Sequence, residues 1–81
     1  MEQEEIKAII ENILLAADQP ISEAQFKNLL GDEVEKVSFK SVLEELVDEY
    51  SSRNLQILQV AEGYQLCTRH DYSDWVRKFL K

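Results

Sequence analysis

The chain has 81 residues, 16 of them acidic and 9 basic, with a formal charge of −7 and a 44% hydrophobic share. That length allows one domain, and the apolar share is enough for a core without disulfide staples. No run approaches the roughly 18 apolar residues of a membrane span, and Met1-Glu2-Gln3-Glu4-Glu5 is the opposite of a basic signal-peptide start. The single cysteine, Cys67, makes no internal disulfide and fits a reducing compartment, so the cytoplasm is the expected location. Residues 1–50 hold 13 acids and 4 bases, whereas residues 51–81 hold 3 acids and 5 bases. Non-specific nucleic-acid affinity rests on attraction to phosphates. An acidic N-terminal two-thirds argues against nucleic acid as the main partner.

From about Glu2 to Ala17, apolar residues recur at helical spacing: Ile6, Ile9, Ile10, Ile13, Leu14 and Ala17. They form one stripe about 140° wide, the pattern of a helix packed on a core. Ala8 and Leu15 lie on the opposite side, where Leu15 is either an incidental surface leucine or a second contact strip for a partner. Asp18-Gln19-Pro20 stops the helix, because proline has no amide donor and restricts the residue before it. A second helix starts at Ser22, which caps it while Gln25 bonds back and Ile21 meets Phe26 as a hydrophobic staple. Gly31 supplies a left-handed stop. A third helix begins near Ser38 and ends between Tyr50 and Arg53. Phe39, Val42, Leu43, Leu46, Val47 and Tyr50 share its inner face, and Glu44, Glu45, Asp48 and Glu49 its solvated one. Val34 to Val37 either add a helical turn before it or do not.

Beyond Asn54 the period changes to two. A three-residue loop Ala61-Glu62-Gly63, with Gly63 left-handed, pairs Val60 with Tyr64 and Leu58 with Leu66 and gives one apolar face. A two-residue turn at Glu62-Gly63 mixes polar and apolar residues on both faces and is disfavoured. Ile57 and Cys67 then meet outside, as a modest surface pair or as part of a docking surface. Asp71 or Ser73 opens a last helix with Trp75, Val76, Phe79 and Leu80 inward and Arg77, Lys78 and Lys81 opposite. The predicted fold is mainly α with a β-hairpin, in the order α-α-α-β-β-α. This is a winged helix-turn-helix in a single domain spanning 1–81.

Catalytic constellations are scarce. His70 and Asp71 are neighbours in a charged turn, where adjacent side chains rarely converge on one reacting atom. A metal set of Cys67, His70, Asp71 and Asp74 lacks paired Cys or His spacing, and the two aspartates read better as helix-start residues. Cys67 has no assignable base, and Gly31 and Gly63 are isolated, so no phosphate loop exists. No catalytic residue, metal ligand or cofactor is expected. A winged helix raises the DNA question, since the third helix would enter the major groove. Its four carboxylates oppose that, with Arg53, Arg69, Arg77 and Lys78 as a small basic margin.

Two stretches resemble a known family. The run Ile6-Lys7-Ala8-Ile9-Ile10-Glu11-Asn12-Ile13-Leu14-Leu15-Ala16-Ala17-Asp18-Gln19-Pro20-Ile21-Ser22 is similar to the start of segregation and condensation protein B, a bacterial condensin subunit. So is Val60-Ala61-Glu62-Gly63-Tyr64-Gln65-Leu66-Cys67-Thr68-Arg69, followed by Tyr72 and the Trp75-Val76-Arg77-Lys78 helix. The likeness extends over essentially the whole chain, and the order and spacing of the motifs carry it. It implies the first of two tandem winged-helix domains, with no catalytic residues to carry over and no family role for Cys67. It further implies homodimerisation and docking of the kleisin subunit, segregation and condensation protein A. Through that kleisin the chain would reach the structural-maintenance-of-chromosomes (SMC) ATPase, at the nucleoid.

Residues and resemblance converge on a non-enzymatic domain acting in chromosome condensation and segregation through protein contacts. The candidate interface residues are Ala8, Leu15, Ile57 and Cys67. The alternative reading is a winged-helix transcriptional regulator that binds DNA.

Overall fold

A computed structural model describes residues 2–31 and 38–81 of the chain. The expected extra turn at Val34 to Val37 lies outside the described residues. Among the described residues, four helices and three short strands follow in the order α1 (Gln3–Ala16), β1 (Ile21–Ser22), α2 (Glu23–Leu30), α3 (Phe39–Tyr50), β2 (Leu55–Val60), β3 (Gly63–Thr68) and α4 (Ser73–Leu80). A 3-10 turn, His70–Tyr72, leads into α4.

Helix α1 forms where its apolar stripe demands it. Ile6, Ile10 and Leu14 are fully buried, Ile13 packs beside them, and Glu4 and Glu5 sit favourably at the positive end of the helix dipole. The chain leaves the helix in extended conformation at Ala17, ahead of Pro20. Helix α2 opens with the expected capping box. The Gln25 amide donates to Ser22 Oγ at 3.2 Å, and Gln25 Oε1 accepts from the Ser22 amide at 2.9 Å. Phe26 is thereby driven into the core, where its ring stacks on that of Phe39 with centroids 6.3 Å apart. Gly31 closes α2 at φ 63°, a positive value that glycine adopts without steric penalty. Ser38 caps α3 through the Ser41 amide, and Phe39, Val42, Leu43, Leu46 and Tyr50 form its buried face.

The hairpin departs from the expected register. It closes with a two-residue turn, Ala61-Glu62, and pairs Val60 with Gly63, Leu58 with Gln65, Ile57 with Leu66 and Gln56 with Cys67. Ile57 is therefore core, 3% exposed, while Leu58 and Val60 sit on the outer face of the wing. The cause is a third strand that hydropathy does not announce. Strand β1 is only two residues long, and it pairs antiparallel with β3 by matching Ile21 to Tyr64 and Ser22 to Gly63, giving the sheet order β1-β3-β2. A Cβ on Gly63 would lie 2.9 Å from Pro20 Cβ and 3.1 Å from the Ile21 nitrogen. The glycine thus serves close strand approach rather than the turn. Ala61 takes the positive φ, 54°, at the position where a type II′ turn usually carries glycine.

Eleven residues of α1, α2, α3, β2 and β3 form one closed apolar cluster. Burial of each Ile, Leu or Phe there is worth about 1.5–3 kcal/mol. Helix α4 contributes nothing fully buried to it. Trp75, Phe79 and Leu80, expected inward, are 70%, 85% and 74% exposed, and Val76 is only half-buried. The core is complete without them, and α4 packs mainly on the 3-10 turn that precedes it.

These two backbone devices make opposite predictions. Gly63→Ala is expected to destabilise by about 1–3 kcal/mol, because the new methyl meets Pro20 and strand backbone. Ala61→Gly relieves the left-handed strain of about 1–2 kcal/mol, less the added chain entropy, for a net gain of up to about 1 kcal/mol. Urea unfolding midpoints measure both.

Candidate protein-interaction surface

The charged side chains are arranged around α3. Glu45 and Glu49, one turn apart, converge on the Lys7 ammonium from α1. Nζ lies 2.8 Å from Glu45 Oε1, bonds Glu49 as well, and is 3.5 Å from Glu4. The bond to Glu45, and next that to Glu49, holds Lys7 well above the usual lysine range. The Tyr50 hydroxyl donates to Glu11, which raises the phenol above its ordinary value. Arg53 lies over the Tyr50 ring, 4.8 Å from its centroid, and 3.8 Å from Glu11. Arg69 reaches from the end of the wing and donates to the carbonyls of Tyr50 at 2.7 Å and Ser51 at 3.3 Å. A cation at a helix C-terminus satisfies orphan carbonyls and complements the dipole.

This arrangement corrects the expectation of a wholly solvated acidic face on α3, because half of its carboxylates are clamped. It also bears on DNA. Arg53 and Arg69 are engaged within the fold, and Arg77 pairs with Asp74. Glu44 and Asp48 remain exposed on the helix that would enter a groove, where they would repel phosphates. Among the described residues, no three His, Cys, Asp or Glu side chains are grouped in a way that would hold a metal ion.

The four candidate interface residues separate. Ala8 is exposed on α1 in a shallow, mostly apolar hollow with Glu5, Ile9, Asn12, Ile13 and Ala16. Leu15, 70% exposed, lines a second hollow with Glu11, Asn12, Tyr50, Leu55 and Leu66. Asn12 borders both hollows. Ile57, expected on the outer face, is instead buried beneath the sheet. Cys67 is half-buried on the outer side of the wing opposite Gln56, its thiol 3.6 Å from the Gln65 carbonyl.

A group of exposed apolar side chains lies where the sequence pattern predicts burial. Trp75, Phe79 and Leu80 line one side of α4, and Lys78 lies over the Trp75 ring at 4.7 Å. The amphipathic pattern of α4 was legible, but amphipathicity says that a face seeks burial and not against what. Isolated exposed leucines are ordinary, whereas a Trp, a Phe and a Leu together on one short helix make an apolar patch of uncommon size.

The helix-turn-helix with its three-stranded wing has close counterparts. The family model for the segregation and condensation complex subunit ScpB matches residues 8–81. The chain belongs to the ScpB family. Segregation and condensation protein B of Alkaliphilus metalliredigens is 35% identical over 83 residues, covering 100% of this chain and 43% of that protein. The Clostridioides difficile relative is 31% identical, covering 100% and 46%. The chain thus spans less than half the length of these curated relatives. Among solved structures, ScpB from Mycobacterium tuberculosis superposes with a TM-score of 0.81 at 24% identity, over 99% of this chain and 50% of that one. That likeness establishes the winged-helix fold. A dimer of the ScpB N-terminal domain complexed with a ScpA peptide gives a TM-score of 0.76 at 28% identity, over 94% of this chain and 95% of that one.

The Lys7 clamp predicts an alkaline signature. A lysine raised in the folded state stabilises fully below its unfolded value of about 10.4 and loses that contribution as pH rises through its higher folded value. Lys7→Met is expected to melt below the parent chain at pH 7. The gap should narrow progressively above about pH 10, as followed by circular dichroism.

Proposed function

We propose that the chain is a non-enzymatic accessory domain of a bacterial condensin-type complex, acting in chromosome condensation and segregation by homodimerisation and by docking the kleisin subunit ScpA. The observation that carries this reading is the match, nearly end to end on both sides, to a ScpB N-terminal domain that forms a dimer with a bound ScpA peptide. Three features of this chain support it. Apolar side chains lie exposed on α1 and α4, the outer surface of α3 is acidic, and two of the arginines expected at a DNA margin are tied to the end of α3. In this reading the domain is the first of a tandem winged-helix pair, located in the cytoplasm at the nucleoid. Contact with the SMC ATPase is made through the kleisin.

Such a domain works by burying apolar anchors between proteins while charged rims exclude wrong pairings. Sedimentation equilibrium at low salt, with and without a short DNA duplex, tests it alongside capture on an immobilised ScpA peptide. A reversible dimer that ignores DNA and is retained by the peptide is the expected result. A monomer that co-sediments with DNA and is released as salt rises would instead establish the regulator.

A further inference from the structure

We propose that the free edge of β2 takes up an extended segment of a partner protein as a fourth, antiparallel strand of the wing, a segment apolar at alternate positions and basic at its N-terminal end. The inference goes beyond the proposed function, since it requires neither self-association nor a particular complex. Three observations carry it. First, the sheet order β1-β3-β2 leaves β2 paired on one side only. The two-residue turn makes Val60 and Gly63 a hydrogen-bonded pair, and alternation along an antiparallel ladder extends this to Leu58 and Gln56. The amides and carbonyls of Leu55, Ile57 and Gln59 therefore point to the open edge, and no other backbone group among the described residues bonds them there. Another extended backbone matches such a row group for group.

Second, the edge carries none of the usual protection. Natural edge strands are blunted by a charge, a proline, a bulge or very short length. Leu55-Gln56-Ile57-Leu58-Gln59-Val60 is six residues long with no charge and no proline, and its pairing with β3 is unbroken. Leu55 on the inner face and Leu58 and Val60 on the outer are 41%, 43% and 40% exposed. Both faces beside the edge thus offer apolar contact to alternate side chains of an added strand.

Third, the charges select the segment. Glu62 lies in the turn, and Glu23 and Glu44 lie near Tyr64 beside it; burial raises the Tyr64 phenol, and these two carboxylates raise it further. None of the three glutamates forms an ion pair among the described residues. The opposite end of the wing is flanked by Arg53 and Arg69. A strand running antiparallel to β2 begins at the turn, so its N-terminal end meets the carboxylates and is favoured when it carries Lys or Arg. One added strand buries less than a standard interface, which makes this a weak, exchangeable contact.

The test is amide hydrogen exchange, followed by NMR on the parent chain, with a capped peptide of about eight residues. The peptide alternates valine and threonine and carries lysines at its N-terminal end. Binding should slow exchange at Ile57 and Gln59 by roughly 10-fold or more, while Leu58 and Val60, already bonded to β3, change little. The same peptide with glutamates in place of the lysines should bind several-fold more weakly. Gln59→Pro removes an outward amide without touching the bonds to β3, a change that edge strands tolerate. It should weaken peptide binding by roughly 10-fold with the circular dichroism spectrum unchanged; if it fails to fold, exchange on the parent chain decides alone. Unchanged exchange at Ile57 and Gln59 in millimolar peptide overturns the edge as a docking site. Equal binding of the glutamate peptide overturns the basic segment. Protection of those two amides without peptide, fading on dilution, means that a second copy fills the edge and overturns the proposal too. None of these results bears on retention by the ScpA peptide, so the proposed function stands or falls separately.

Discussion

Helix α3 is the member to which α1, α2 and the wing are fastened, and three kinds of force attach them. Its apolar side packs Val42, Leu43 and Leu46 against Ile6, Ile10 and Leu14 of α1, with Phe39 stacked on Phe26 of α2. Its charged flank holds Lys7 of α1 between Glu45 and Glu49. Its C-terminus accepts the Arg69 guanidinium from the end of the wing. Burial supplies most of the stabilisation and is non-directional. The polar ties set orientation, because a hydrogen-bonded ammonium or guanidinium tolerates little displacement.

That construction leaves Glu44 and Asp48 on the outward side of α3, where they would repel the phosphates of a groove. A reading helix needs cations free to meet phosphates and bases. Here several cations look inward or sideways: Lys7 to α3, Arg53 to Tyr50 and Glu11, Arg77 to Asp74. Outward on α3 lie Glu44 and Asp48 beside Lys40, and α1 and α4 expose apolar side chains among charged ones. In the proposed function the same three-helix and wing scaffold serves protein contacts through side-chain allocation, without a change of fold.

The sequence was most legible where one residue type serves one purpose. The stripes of α1 and α3, the Ser22–Gln25 cap and the stop at Gly31 are all legible, since each follows from local periodicity or local hydrogen bonding. The wing was legible as a hairpin but not in register. Gly63 has two competing uses, turn conformation and close approach to Pro20 and Ile21, and only the pairing of β1 with β3 decides between them. The slip of one residue carried Ile57 from the supposed surface into the core and sent Leu58 and Val60 outward.

By itself the sequence determined the helical segments, the single small core, the acidic surface and the winged-helix order, because spacing and composition express these directly. Tertiary structure alone decided which carboxylates are clamped, where the strands pair and whether α4 belongs to the core. Each of those depends on residues far apart in the chain, such as Lys7 with Glu45 or Pro20 with Gly63. Helix α4 marks the division most clearly. Its pattern demands burial, and its partner cannot be read from the pattern, because hydrophobic attraction carries no address.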